Sequence, residues 1–221
     1  MTDLENRRPL KVRGSAWAKN TAARLAKSGI TPDTISAISV LFAGLGAVFM
    51  AFAGSLGPIP RALTMIIAAA CIQGRLICNL LDGMVAVEHG KGSPAGPIWN
   101  ELPDRFSDAL LLAGAGYMLA GLGWRIGPAL GWTAAVLAVI TAYVRELGRG
   151  LGLPADFTGP MAKPQRMAAL TVGCGLSVIE PAWSGGGQMM LIVMSVIVVG
   201  TGWTVARRVG NMAAGLKAKG A

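Results

Sequence analysis

The chain of 221 residues is 53% hydrophobic and only 14% charged, with a formal net charge of +9 at pH 7. So apolar a composition excludes most soluble globular domains and reads as an integral membrane protein. Cys71, Cys78 and Cys174 lie in apolar surroundings with no CxxC spacing, which argues for buried thiols over a disulfide or a zinc site.

In chain order, residues 1–30 come first, with Trp17, Leu25 and Ile30 set among Arg7, Arg8, Lys11, Arg13, Lys19, Arg24 and Lys27. The positive stretch runs on to Lys27, and no apolar core with a small-residue cleavage site precedes it, which reads against a cleavable signal. An amphipathic helix lying in the headgroup region and ending at Gly29 is predicted instead. Thr31-Pro32-Asp33 then opens the first of six apolar runs, near residues 35–54, 60–87, 97–121, 127–150, 165–182 and 186–207. Each run is close to the roughly 20 residues that span hydrocarbon. The expected fold is therefore all-α: residues 1–30 interfacial, residues 31–210 a bundle of six transmembrane helices, and residues 211–221 a basic tail. The second run is the longest and should project past the bilayer on its Asp82 side.

Lys and Arg set the orientation. The N-terminal segment, Lys91, the group Arg145, Arg149, Lys163 and Arg166, and the tail with Arg207, Arg208, Lys217 and Lys219 all fall on one side, against Arg61 and Arg125 on the other. The expected placement is multi-pass in the cell inner membrane, with both termini cytoplasmic. The net positive charge then faces anionic lipid, and nothing resembles an aromatic-interleaved basic module for nucleic acid.

The chemistry-bearing residues crowd into the second and third runs. Arg75, Asn79, Asp82 and Ala86 are spaced by four, three and four, so they share one stripe of a helix, and Asn100, Asp104 and Asp108 share another. If these helices pack as neighbours through the connection from Glu88 to Gly96, Asn79, Asp82, Asn100 and Asp104 reach one cavity. Oxygen ligands so clustered suit a hard cation such as Mg²⁺ or Mn²⁺. A carboxylate at membrane depth is costly enough to mark a site.

This run resembles the signature of the CDP-alcohol phosphotransferase (phosphatidyltransferase) family, D-x-x-D-G-x-x-A-R-x8-G-x3-D-x3-D, without insertion. Asn79 stands at the first Asp position, Asp82 at the second, Asn100 at the third and Asp104 at the fourth; Gly83, Ala86 and Gly96 match, and Val87 holds the Arg position. Ile30-Thr31-Pro32-Asp33 is similar to the segment that opens many members. The resemblance implies a CDP-linked alcohol, commonly CDP-diacylglycerol, bound in a polar cavity with Gly83, Ala86 and Gly96 against the nucleotide. It implies divalent ions bridging the pyrophosphate, attack by the hydroxyl of a second alcohol, release of CMP, and the fourth Asp, here Asp104, as general base. It also favours a homodimer, and Gly114, Ala115, Gly116, Ala120 and Gly121 would let helices approach closely within the bundle or at a dimer seam.

Asn keeps a carbonyl ligand but removes charge, so Asn79 and Asn100 are read as weaker metal ligands beside Asp82 and Asp104, with one or two ions bound. Glu101 and Asp108 are further candidates for the metal or its surroundings. Arg75 or Arg105 stands in for the missing motif Arg, with a pair from Arg105 to Glu101 or Asp108 as the plainer alternative. Arg145, Arg149, Lys163 and Arg166, around Gly159-Pro160-Met161-Ala162-Lys163-Pro164-Gln165-Arg166, are candidates for the phosphate of an acceptor such as glycerol 3-phosphate or inositol phosphate, against plain positive-inside anchoring. His89 reads as a solvated loop residue. Two other readings stand beside phosphatidyl transfer in phospholipid biosynthesis: a silent relative that binds nucleotide-lipid, and a transporter. The crowding of polar residues into one helical pair disfavours the second.

Overall fold

The computed structural model describes residues 11–220; Arg7, Arg8 and Ala221 lie outside them. Seven α-helices and no strand occur among the described residues. Helix α1, Ala16–Lys27, buries Ala18 and Ala22 against the end of the third helix and leaves Trp17 exposed. Helix α2, Pro32–Ala53, starts where the sequence places it: the Thr31 hydroxyl accepts the Thr34 N–H at 3.2 Å, and Pro32 occupies the first turn, where its missing N–H costs nothing.

The remaining helices are α3, Pro58–Glu88; α4, Gly96–Gly121; α5, Gly127–Gly150; α6, Lys163–Ile179; and α7, Gln188–Gly220. All six predicted apolar runs are therefore helical. Four of the helices, α2, α3, α5 and α7, are long and apolar enough to cross a membrane. Helix α4 carries Glu101, Asp104, Arg105 and Asp108 in its first half, and α6 has only 17 residues. The final helix does not stop before a separate tail. Met212, Ala213, Ala214 and Leu216 are good helix formers, and Gly215 packs beside Leu153, so α7 continues through the tail region.

Helix α2 packs extensively on both α3 and α4, while direct contact between α3 and α4 is sparse. Glycines make the close approaches. A Cβ at Gly114 would lie 2.6 Å from the Ala47 carbonyl oxygen, and one at Gly116 would lie 2.6 Å from the Gly127 oxygen and 2.9 Å from Gly131 Cα. Backbones meet there, so the small-residue stripe of α4 serves packing inside the bundle, against α2 and α5. Met50, Met65, Ile72, Leu111, Leu112, Met118, Leu170, Met190 and Met194 fill the core between the helices. The three cysteines are free and buried, as expected. Outward faces carry Leu41, Phe52, Ile59, Val136, Val199 and Trp203, all exposed, which suits contact with lipid.

Candidate active site

Arg75 and Asn79 of α3, Asp104 and Asp108 of α4, and Lys163 and Arg166 of α6 are joined by polar contacts, with Thr141 of α5 beside Arg166, and Ser36 of α2 forms a separate pair with Asp82 of α3. The helical spacings deduced from the sequence put Asn79 and Asp104 in direct contact, with the Asn79 amide donating to Asp104 Oδ1. Asp82 is 6% exposed; its Oδ2 accepts the Ser36 hydroxyl at 2.7 Å, and its Oδ1 accepts the Gly83 N–H. Ser36 was missed from the sequence, although the polar stripe Asp33, Ser36 and Ser39 in an apolar helix was the available signal.

Behind this pair lies a buried ion network. Arg75 is 0% exposed, and its Nη2 donates to Asp108 Oδ1 at 2.6 Å and to Asp104 Oδ1 at 3.1 Å. Arg166 Nη2 donates to Asp108 Oδ2 at 2.9 Å, while its Nη1 reaches the Met161 carbonyl at 3.0 Å. Lys163 Nζ pairs with Asp104 Oδ2. Of the two candidates for the missing motif cation, Arg75 is the one in the cluster. Arg105 pairs with Glu101 on its own helix, and Val87, at the motif position, is 41% exposed.

Other expectations need correction. Both oxygens of Asp108 are occupied by guanidinium groups, and Glu101 Oε2 is held by Arg105 and by Arg145 at 2.6 Å, so neither is arranged as a metal ligand. Asn100 is exposed and has no side-chain partner among the described residues, so it is not drawn into the cluster. Gly83 is half-buried beside Asp82. A Cβ at Gly96 would meet nothing nearer than Ser93 Oγ at 3.8 Å, so the fold itself does not demand glycine there.

The four candidate acceptor cations do not converge. Arg149 pairs with Glu146, Arg166 serves Asp108, and Lys163 serves Asp104. Arg145 instead borders a cleft of about 280 Å³ with Val144, Gly148, Asp156, Arg208 and Asn211, walled by α5, the 151–157 loop and the end of α7. Arg208, missed in the sequence reading as a site residue, donates to the Thr141 carbonyl at 2.8 Å and the Thr158 carbonyl at 2.9 Å. Arg208 and Asn211 are spaced by three on one face of α7, a signal the sequence did carry. Burial alone would raise the Asp156 carboxyl, but hydrogen bonds from Thr158 and Asn211 and the Arg208 charge hold it below its ordinary range. The cleft and the carboxylate cluster meet at Thr141, whose hydroxyl lies 3.4 Å from Arg166 and whose carbonyl holds Arg208, and at the Arg145–Glu101 pair.

The donor set decides what cation the site can take. Among the described residues no group of three or more His, Cys, Asp or Glu side chains is placed to hold a metal. Asp104 and Asp108 are already neutralised by Arg75, Arg166 and Lys163, whereas Asp82 has only uncharged donors. One turn earlier, the Asn79 carbonyl oxygen has no protein donor among the described residues. Asp82 and the Asn79 carbonyl oxygen are thus the oxygens of this group that no protein cation already neutralises, the chemistry a hard cation prefers.

No protein-family profile matches the chain. It is similar to CDP-alcohol phosphotransferase-type enzymes. It shares 27% identity over 215 residues with the phosphatidylinositol phosphate synthase of Mycobacterium tuberculosis, covering 90% of this chain and 93% of that one. The Mycobacterium marinum synthase is 27% identical over 199 residues, 86% and 81% of the two chains. A bifunctional IPC transferase and DIPP synthase of Rubrobacter xylanophilus is 32% identical over 150 residues, but the match spans only 31% of that longer protein. The fold is that of the M. tuberculosis synthase crystallised with CDP-DAG bound, with a TM-score of 0.75 at 20% identity over 90% of this chain and 94% of that one. The manganese and citrate complex gives a TM-score of 0.73.

Proposed function

We propose that the chain is a transferase that moves the phosphatidyl group of CDP-diacylglycerol to the hydroxyl of a small phosphorylated alcohol, releasing CMP. The observation that carries the reading is the joined pair of Asn79-Leu80-Leu81-Asp82-Gly83 on α3 and Asp104 on α4, beside an arginine-lined cleft. Similarity to the mycobacterial synthases over most of both chains supports it. The enzyme is a multi-pass protein of the inner membrane with cytoplasmic termini, six spanning helices and a homodimeric assembly; α4 and α6 complete the six because their polar residues face the bundle.

Asp82, with the carbonyl oxygen of Asn79, holds one Mg²⁺ or Mn²⁺. Such an ion, when bound, neutralises the pyrophosphate and polarises the attacked phosphoryl group. The Gly83 and Gly96 positions let the nucleotide approach the backbone of α3 and α4. Arg145 and Arg208 border the acceptor cleft, where guanidinium groups suit a phosphate and Asp156 and Asn211 suit hydroxyls. Asp104 accepts the proton of the attacking hydroxyl. Arg75 and Asp108 fix the position of Asp104 from behind.

CMP release from CDP-diacylglycerol, followed by mass spectrometry across a panel of acceptor alcohols with and without Mg²⁺, tests the reading. Phosphatidyl product with at least one acceptor, lost in Asp82→Ala, is expected; absence of product with every acceptor would sink it. The Asn79 amide on Asp104 favours one second reading, a nucleotide-lipid binder without turnover, which the same assay detects as CDP-diacylglycerol binding without CMP.

A further inference from the structure

Residues 6–32 carry seven Lys and Arg and no Asp or Glu. Within the bundle, Arg75, Arg105, Arg145, Arg149, Lys163 and Arg166 are each paired with a carboxylate. Arg24 and Lys27 are exposed and meet no carboxylate among the described residues. Trp17, Asn20, Arg24 and Lys27 are spaced by three, four and three, so they form one stripe of α1, turned away from the buried Ala18 and Ala22. Asn20, Ala23, Arg24 and Lys27 line an open depression of about 330 Å³. Two cations one turn apart repel, and α1 brings no acid to relieve them, so an anion from outside the chain completes this face. Only Ser28-Gly29-Ile30-Thr31 separates α1 from α2, which is apolar enough to cross a membrane, so α1 lies at headgroup level. Trp17, 48% exposed on the same stripe, is the residue type that settles at that boundary. The inner side of α1 is occupied. Ala18 and Ala22 pack with Leu80, Leu81, Met84 and Val85 of α3, which bracket Asp82 and Gly83, and Lys91 Nζ donates to the Ala26 carbonyl.

We propose that Arg24 and Lys27, with the Asn20 amide, bind the phosphate of an anionic phospholipid of the surrounding bilayer, and that the bound lipid holds α1 down on the motif-bearing end of α3. The guanidinium gives paired donors to phosphate oxygens, the ammonium adds a point charge, and the amide adds an uncharged donor. Trp17 beside them packs on the glycerol and the first methylenes of the lipid, with its indole N–H toward the headgroup. A zwitterionic headgroup brings its own ammonium and gains less from two further cations, whereas each basic residue near an anionic surface favours it by about fivefold. The helix held in this way is the one that carries Asn79 and Asp82, so the charge of the membrane sets how firmly that segment is seated. Lipid binding and local stability at α1 do not depend on turnover of CDP-diacylglycerol.

Two measurements on the full-length protein test this. In the first, a benzophenone amino acid in place of Ala23 is irradiated in vesicles of dioleoyl phosphatidylglycerol and dioleoyl phosphatidylcholine in equal parts, and the lipid adducts are read by mass spectrometry. Phosphatidylglycerol should be captured at least about tenfold over phosphatidylcholine, and Arg24→Gln with Lys27→Gln should bring the ratio near unity. Arg207→Gln with Lys217→Gln removes the same charge from exposed positions on α7 and should leave the ratio unchanged. Capture without preference, a preference that survives Arg24→Gln with Lys27→Gln, or an equal loss in the α7 pair overturns the site. In the second, hydrogen exchange of residues 79–85 is followed in nanodiscs of pure phosphatidylcholine and of the equal mixture. Exchange in wild type should slow about threefold or more in the mixture, and Arg24→Gln with Lys27→Gln should exchange alike in both. Wild-type exchange indifferent to the lipid, or slowed equally in the variant, overturns the hold on α3.

Discussion

Asp108 is the carboxylate on which the interior of the bundle turns, and Asp108→Leu is the sharpest test of that statement. At 1% exposure it lies 2.6 Å from Arg75 and 2.9 Å from Arg166, themselves 0% and 1% exposed. The substitution keeps the branching of the side chain while adding some bulk, and it leaves two guanidinium groups buried with too little negative charge. Breaking such a buried pair costs about 3–5 kcal/mol, against about 0–1 kcal/mol for an exposed one. At roughly 2–4 °C per kcal/mol for a chain of this length, thermal unfolding in detergent should fall by about 6–20 °C. Removing all three charges, in Arg75→Met with Asp108→Leu and Arg166→Met, should recover more than half of that loss, because the single change is costly through orphaned charge and not through lost attraction. A midpoint for Asp108→Leu within about 2 °C of wild type, or a triple variant less stable than the single one, would refute the reasoning.

Further outcomes follow from the same contacts. Asn79→Asp replaces the donor to Asp104 with a second carboxylate, so metal-free protein should lose stability and Mn²⁺ should bind about tenfold more tightly, read by electron paramagnetic resonance and by a larger metal-induced rise in Tm. Gly114→Ala drives a methyl into the Ala47 backbone, and overpacking of that kind costs about 1–3 kcal/mol, measurable by thermal unfolding. Asp156 titrates below its ordinary range in the folded protein, so its contribution is complete above the unfolded value and fades as pH falls through the folded one. The Tm difference between wild type and Asp156→Asn should therefore be flat near neutrality and shrink in acid; a difference that grows in acid would contradict the assignment. Arg145→Ala should raise acceptor KM more than it lowers kcat, since Arg145 borders the cleft and does not touch Asp104.

The helical runs, the Thr31-Pro32 start of α2 and the polar stripes of α3 and α4 were legible in the sequence, because apolar length and helical spacing are local properties, but the hydrogen bond from Asn79 to Asp104 was not. Partners contributed by other helices were not. Ser36 bonds Asp82 across 46 positions and Lys163 pairs with Asp104 across 59, separations that no periodicity encodes. The expectation that Glu101 and Asp108 would supplement the missing carboxylates failed for a related reason: each meets arginines from other helices, Arg145 for Glu101 and Arg75 with Arg166 for Asp108. Counting negative charges along one helix could not reveal the positive ones that α3, α5 and α6 bring to it. Arg149 and Arg166 were drawn into the acceptor site by nearness in sequence, whereas the fold sends one to Glu146 and the other inward.

Helix α7 has a practical bearing on how this protein can be observed. At 33 residues and about 1.5 Å each it is roughly 50 Å long, well beyond a hydrocarbon core of about 30 Å. Its last turns rest on the 151–157 loop through Gly215 against Leu153 and through Lys219 on the Gly152 carbonyl, while Arg208 and Asn211 line the cleft two turns earlier. The last turns of this helix are thus themselves a wall of the cleft. A fluorophore at Lys217, two residues beyond the Gly215 that lines the cleft and about 14 Å along the helix from Arg208, would report the seating of a ligand from beside it, and a rigid fusion at that end would bear directly on the wall.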